Sequence, residues 1–239
     1  MMALPKLNSS PKYEMTIPST GEEVRFRPFL IKEEKTMLIA AETGDSKIIL
    51  KSLLDTLKAC VDSDINESNL STFDIEYMFL KLRAKSVGET TKVGIKCEKC
   101  DHQNTLDVNI SEIEIEKPKD VSNKIKLTED ITVEMGYPTF GDLVKVGVDT
   151  AAMTNAENLF KMINQCFKTV ITEDEKFVLK EHSEEEITAF IDSLDASQFV
   201  KVREYIESIP RLKHDFKLKC SQCGHVTESS LEGLANFLS

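Results

Sequence analysis

The sequence predicts an α+β fold that is internally duplicated and closed by one shared four-cysteine zinc ribbon. Three observations predict it. Two CxxC knuckles, Cys97-Glu98-Lys99-Cys100 and Cys220-Ser221-Gln222-Cys223, fall near the middle and the end of a chain of 239 residues. Alternating apolar residues lead into each of them, the pattern of a strand with one buried face. Before each knuckle the same succession of hairpin-like and helix-like segments is found, so the chain reads as one plan performed twice.

The first element is a hairpin. Tyr13-Glu-Met-Thr-Ile17 alternates, Pro18-Ser-Thr-Gly21 supplies turn residues, and Glu23-Val-Arg-Phe-Arg27 alternates again before Pro28. An amphipathic helix follows, with Ile49, Leu50, Leu53, Leu57 and Val61 at helical spacing and Asp45 as its candidate N-cap. A second helix turns Ile75, Met78 and Leu82 toward the core. The strand ending Val93-Gly-Ile-Lys96 then enters the first knuckle, and a return strand leaves it. Glu112-Ile-Glu-Ile-Glu-Lys-Pro-Lys-Asp120 reads as an edge strand passing into a linker at Pro118.

From Lys124 the plan recurs. Lys124-Ile-Lys-Leu127, a turn at Thr128-Glu-Asp130 and Ile131-Thr-Val-Glu-Met135 form the second hairpin, with Pro138 lying 110 residues beyond Pro28. That offset carries the first helix onto Leu159, Phe160, Ile163, Phe167 and Ile171, and Asn155 into the place of Asp45. Further on, Leu194 corresponds to Leu70, and Phe199, Val202 and Ile206 to Ile75, Met78 and Leu82. Pro210 ends that helix, and Cys220 lies 123 residues beyond Cys97. The residues added in the second half fall at Thr172 to Glu186. Their Glu173, Asp174, Glu175, Glu184, Glu185 and Glu186 read as a solvated loop leading into a helix. The domain plan is therefore an N-terminal half, residues 1–117, with the first knuckle and a C-terminal half, residues 118–239, with the second, the two joined through one metal site.

A strand running into a tight CxxC turn points two thiolates at one spot, half of a tetrahedral zinc shell, and a second knuckle supplies the rest. Cys97, Cys100, Cys220 and Cys223 are the expected ligands of one structural zinc ion. A redox CxxC normally opens a helix, whereas polar, strand-like residues follow both knuckles here. Disulfides fit poorly with an N-terminus that lacks a signal-peptide pattern. Two separate sites completed by His102 and His225 would leave each metal short of ligands, so both histidines read as polar return-strand residues. Cys60 and Cys166 lie on or beside apolar helix faces and read as buried small hydrophobes.

The formal net charge of −11 bears on partners, because a zinc ribbon that grips phosphate needs a basic face. Lys92, Lys96 and Lys99 flank one knuckle and Lys213, Lys217 and Lys219 the other. Lysines beside thiolates offset the charge of a four-thiolate centre, so the acidic balance argues against nucleic acid and for a protein partner. No run approaches the ~20 apolar residues of a membrane span. Catalytic motifs of the GxSxG, Walker, HExxH and dinucleotide-binding types are missing, and no small-molecule substrate is indicated. His182-Ser183-Glu184 has the HxE spacing of a zinc deaminase. Lys96 and Lys219, however, stand where that pattern has a proline before CxxC. A closed four-cysteine shell leaves no open position for water, so the expectation is no enzyme.

The run Pro18 to Lys35, with Arg27-Pro28-Phe29-Leu30 and Lys32-Glu33-Glu34-Lys35 at its end, resembles the opening of baseplate hub assembly proteins of T-even-like contractile-tailed bacteriophages. The strongest part of the resemblance covers about the first quarter of the chain, and it carries no catalytic residue. It implies a non-enzymatic protein of the phage tail baseplate hub, acting in assembly as chaperone or structural subunit through contacts with other baseplate and hub proteins. It places the protein in the host cytoplasm during assembly, with the virion tail baseplate as a further location. The alternative reading is a zinc-ribbon nucleic-acid-binding or transcription adaptor. Partner docking is expected at the features the halves do not share: Met1 to Lys12, and the insert with Phe177, Val178 and Leu179 in its middle. For that triplet the competing expectation is packing on its own core.

Overall fold

The computed structural model describes residues 11–66, 69–116, 121–145 and 156–237. In chain order the first elements are β1 (Tyr13–Thr16), β2 (Glu23–Phe26), α1 (Ile31–Glu42), α2 (Ser46–Cys60), α3 (Thr72–Ser86), β3 (Thr90–Lys96), β4 (Gln103–Asn109) and β5 (Ile115–Glu116). They are followed by β6 (Lys124–Lys126), β7 (Thr132–Met135), α4 (Phe140–Lys145), α5 (Ala156–Cys166), β8 (Phe167–Ile171) and β9 (Lys176–Val178). The last are α6 (Glu184–Asp192), α7 (Ala196–Glu207), β10 (Arg211–Lys219) and β11 (Val226–Glu232). Helices and several small sheets share the chain, as an α+β reading requires. Two compact units are present. One gathers residues up to 65, 73–114 and 212 onward, and the other gathers 66–72 and 115–211. Residues 212–239, which the sequence plan assigns to its second half, are thus counted with the unit that holds the first knuckle.

In the first unit, β1 and β2 pair antiparallel from Tyr13↔Phe26 to Thr16↔Glu23, and Gly21 closes the turn at φ 74°. This left-handed backbone suits glycine, which has no Cβ to clash. Asp45 caps α2 by accepting from the N–H groups of Lys47 at 2.8 Å and Ile48 at 3.3 Å, which satisfies donors that the helix itself leaves open. The Arg-Pro-Phe-Leu segment is a structural clip. Arg27 donates to the Pro28 and Ala59 carbonyls and to the Glu33 carboxylate, each at 2.9 Å. Glu33 reaches back to the Leu30 N–H at 2.9 Å, and Phe29 stacks on Phe79 with ring centroids 6.5 Å apart. Burial alone would push the Glu33 carboxyl up. The Arg27 guanidinium, the Leu30 amide and Lys32 outweigh it and hold the group below the usual carboxylate range. Beyond this clip α1 leaves Ile31, Leu38 and Ile39 exposed.

The second unit centres on an antiparallel sheet of order β6-β7-β8-β9, with a bulge between Glu134 and Met135. Ile125, Val133, Met135, Phe167 and Val170 from its strands, with Leu127 just past β6, share one core with Ile163, Cys166, Ile191, Val202 and Tyr205 from the helices. Both later helices carry capping boxes, Ser183 with Glu186 on α6 and Asp195 with Gln198 on α7.

Two expectations change here. The helical periodicity drawn from Leu159 through Ile171 stops at Cys166, and Phe167 to Ile171 form strand β8 instead. Phe167, Val170 and Ile171 satisfy a helical spacing, but β-branched Thr169, Val170 and Ile171 favour a strand, and pairing on both sides with β7 and β9 decides it. The excursion of the second half therefore begins at Phe167. Of the apolar triplet, Leu179 is core and Phe177 is half-buried against it, while Val178 is half-buried on β9, which agrees with the competing expectation of packing on its own core. Phe177 pairs with Val170 on β9, and Leu179 is 6% exposed in the core of the sheet and helices. Of the edge strand expected over 112–120 only β5 is found, residues 117–120 lying outside the described ones. Asn155 and residues 1–10 also lie outside them.

Candidate metal centre

Each knuckle is built by its hairpin. β3 and β4 run in register from Thr90↔Asn109 to Lys96↔Gln103, and β10 and β11 from Lys213↔Glu232 to Lys219↔Val226. Both strands stop one residue before the first cysteine, and both return strands begin three residues after the second. The turns then close identically. The Cys97 N–H donates to the His102 carbonyl at 2.9 Å and the Asp101 N–H to the Cys97 carbonyl at 2.9 Å. In the other knuckle the Cys220 N–H donates to the His225 carbonyl at 2.7 Å and the Gly224 N–H to the Cys220 carbonyl at 3.0 Å. Asp101 and Gly224 take the left-handed backbone at φ 57° and 71°, a conformation glycine and the short polar Asp tolerate best.

The four cysteines converge, although 120 residues separate Cys100 from Cys220. Their sulfur atoms all lie within 4.8 Å of one another, with Cys97 Sγ 3.7 Å from Cys223 Sγ and Cys100 Sγ 3.6 Å from Cys220 Sγ. All four cysteines are free, and these separations far exceed the roughly 2.05 Å of a disulfide. A metal about 2.3 Å from each of four sulfurs places tetrahedral neighbours about 3.8 Å apart, so the observed spacings fit a closed four-thiolate shell. Cys97 and Cys220 are buried, Cys100 is half-buried and Cys223 is exposed at the rim.

The electrostatics divide the set. The Cys223 backbone N–H, aided by the Gln222 amide and the Asn104 side chain and opposed by burial, brings the Cys220 thiol down to about 6. At Cys100 the His102 backbone bond pulls the thiol down. Its sulfur neighbours and burial more than reverse this and drive it up to about 12. Crowded sulfurs of this kind share out their protons because several thiolates at 3.6–3.7 Å repel one another unless a cation sits among them.

Other residues singled out in the sequence have structural duties. His102 Nε2 lies 3.0 Å from Ser221 Oγ, and the His102 and His225 carbonyls close their knuckles. Lys96 pairs with Asp101 at 2.9 Å, Lys213 with Asp215 at 3.5 Å, and Lys217 with Glu228, so these lysines answer local carboxylates. Burial pushes the Cys166 thiol up to about 12 and raises that of Cys60, which keeps both protonated as small apolar groups. His182 ends a 3-10 turn and Ser183 caps α6, so the HxE spacing serves a helix start. One residue was missed in the sequence. Asn104 is buried between the knuckles, and it differs from a surface Asn only in the alternation that turns position 104 inward.

A family model described as T4 bacteriophage base plate protein matches residues 10–239. The baseplate hub assembly protein gp26 of Enterobacteria phage T4 is 22% identical over 227 residues, a span covering 95% of this chain and 97% of that protein. No solved structure matches the chain. Among the described residues no helix is long and apolar enough to cross a membrane.

Proposed function

Since this chain belongs to the T4 bacteriophage base plate protein family, we propose that it is a non-enzymatic baseplate hub protein. It acts in hub and baseplate assembly, as chaperone or structural subunit, through contacts with other baseplate proteins in the host cytoplasm. The single observation that carries this reading is the match along residues 10–239, reinforced by a relative of nearly equal length whose name states hub assembly. Exposed Ile31, Leu38 and Ile39 on α1 agree with a protein that works by contact. Mass spectrometry of purified virions tests it. Stoichiometric presence marks a structural subunit, and absence together with stalled hub intermediates in an infection lacking the protein marks a chaperone. Normal tails assembled without the protein refute both.

Within this role Cys97, Cys100, Cys220 and Cys223 hold one structural zinc ion. The ion would supply positive charge to four thiolates and tie two hairpins that are far apart in sequence, so its binding free energy would also be folding free energy. The halves 1–117 and 118–239 are read as repeats whose knuckles share that ion. Supporting this are the hairpins β1-β2 and β6-β7, the helices α2 with α5 and α3 with α7, and the equal knuckle registers. An experimental structure in which residues 13–110 and 124–230 differ in strand order rules the repeat out.

A further inference from the structure

Beside the four sulfurs a polar network links the two hairpins. The Ser221 N–H donates to Asn104 Oδ1 at 3.0 Å, and Ser221 Oγ donates to the same oxygen at 3.1 Å. Asn104 Nδ2 donates to the His102 carbonyl at 3.1 Å, and His102 Nε2 meets Ser221 Oγ at 3.0 Å. A backbone N–H is an obligatory donor, so the atom facing Ser221 is the amide oxygen and the orientation of Asn104 is fixed. The ring closes as His102 Nε2–H to Ser221 Oγ–H to Asn104 Oδ1, and from Asn104 Nδ2–H back to the His102 carbonyl. It touches a ligand of each knuckle. Ser221 follows Cys220 directly, and the His102 carbonyl also accepts the Cys97 N–H at 2.9 Å. Asn104 is 7% exposed, so its amide satisfies these bonds out of contact with bulk water, where a lost partner is costly.

The network is one-sided. At the offset of the knuckles Asn104 corresponds to Thr227, equally buried at 8%, and Ser221 to Glu98. A single hydroxyl at 227 lacks the separate donor and acceptor ends with which Asn104 bonds both knuckles at once.

We propose that Asn104 is the positioning residue of the metal centre. It docks the second knuckle on the first through Ser221 before an ion binds, and so sets the affinity of the site without belonging to the shell. The inference rests on the metal reading given above. Outer-shell partners of this kind are worth about 10–100-fold in metal affinity. The test uses full-length protein loaded with cobalt(II) or zinc, with affinity measured by chelator competition and the shell read from cobalt absorption. Asn104→Ala is expected to keep the tetrahedral thiolate spectrum while binding about 10–100-fold more weakly. Thr227→Ala, at the matching buried position, is expected to bind as wild type does. Ser221→Ala, which removes the hydroxyl and spares the N–H bond, is expected to show a smaller loss and keeps the test valid should Asn104→Ala fail to fold. Wild-type affinity in both Asn104→Ala and Ser221→Ala overturns the proposal. So does an equal loss in Asn104→Ala and Thr227→Ala, or a cobalt spectrum altered by Asn104→Ala. A wild-type protein that takes up neither metal refutes the metal reading itself, and the positioning role falls with it.

Discussion

Replacing Glu76 by Gln should stabilise the protein at neutral pH and leave its stability in mild acid unchanged. Glu76 lies on α3 and accepts a hydrogen bond from the backbone N–H of Leu234, at the start of the C-terminal turn that buries Phe237. Burial pushes its carboxyl up to about 7, and the Leu234 amide offsets only part of that. An unfolded Glu titrates near 4.5, so between that value and about 7 the folded state binds the extra proton. Stability therefore falls as pH rises through this window, and the penalty is complete above it. At about 1.4 kcal/mol per tenfold change in proton affinity, the penalty is on the order of 3 kcal/mol. A Gln keeps an acceptor for Leu234 and never ionises. Urea unfolding of both proteins at equal metal load, from pH 4.5 to 8, isolates the effect, since the thiol titrations are common to both. The difference should be near zero at the acid end and approach ~3 kcal/mol in favour of Glu76→Gln at the alkaline end. A difference that is flat across pH, or that grows toward acid, refutes the reasoning.

Glu33→Gln should behave in the opposite sense. The lowered carboxyl of Glu33 stabilises the fold at neutral pH, and that contribution is lost as pH falls, so the same titration should show a variant deficit that shrinks in acid. Leu179→Ala should cost about 2–5 kcal/mol in denaturant unfolding, because the side chain is buried in the sheet-and-helix core. Deleting 173–182 should unfold that unit, seen as lost amide-exchange protection of β7 and β8. Asp195→Ala removes the α7 cap and should cost about 1 kcal/mol. Leu38→Ser and Ile39→Ser, both on exposed positions of α1, should change stability by no more than about 0.5 kcal/mol.

Much of this could be read in the sequence because local rules agreed with the tertiary result. Proline and Gly21 set the first hairpin within a residue of its observed ends, and Asp45 is the cap that its position suggested. The matched knuckles foretold that Cys97, Cys100, Cys220 and Cys223 would meet, because CxxC turns on strands offer half a shell each. Phe167 to Ile171 misled because four-residue spacing fits a helix and a strand start alike, and the partner strand β7 is remote from it in sequence. The triplet Phe177-Val-Leu179 misled because charges flank it on both sides, while its burial comes from β8 and the helices packed behind. Asn104 gave no local sign beyond the strand alternation that turns it inward. Its role is defined by Ser221, which only the docked second hairpin brings within reach. The Arg27 and Glu33 of the family-like opening were legible as a motif, but their work as a clip holding β2, α1 and the end of α2 needed the structure.

The most direct test of the metal centre is zinc-edge X-ray absorption, with metal quantification, on the protein as purified. One ion per chain surrounded by four sulfurs at about 2.3 Å is the predicted result, with binding lost in Cys220→Ser. A protein that purifies without a bound metal, or whose metal is coordinated by nitrogen and oxygen, contradicts it.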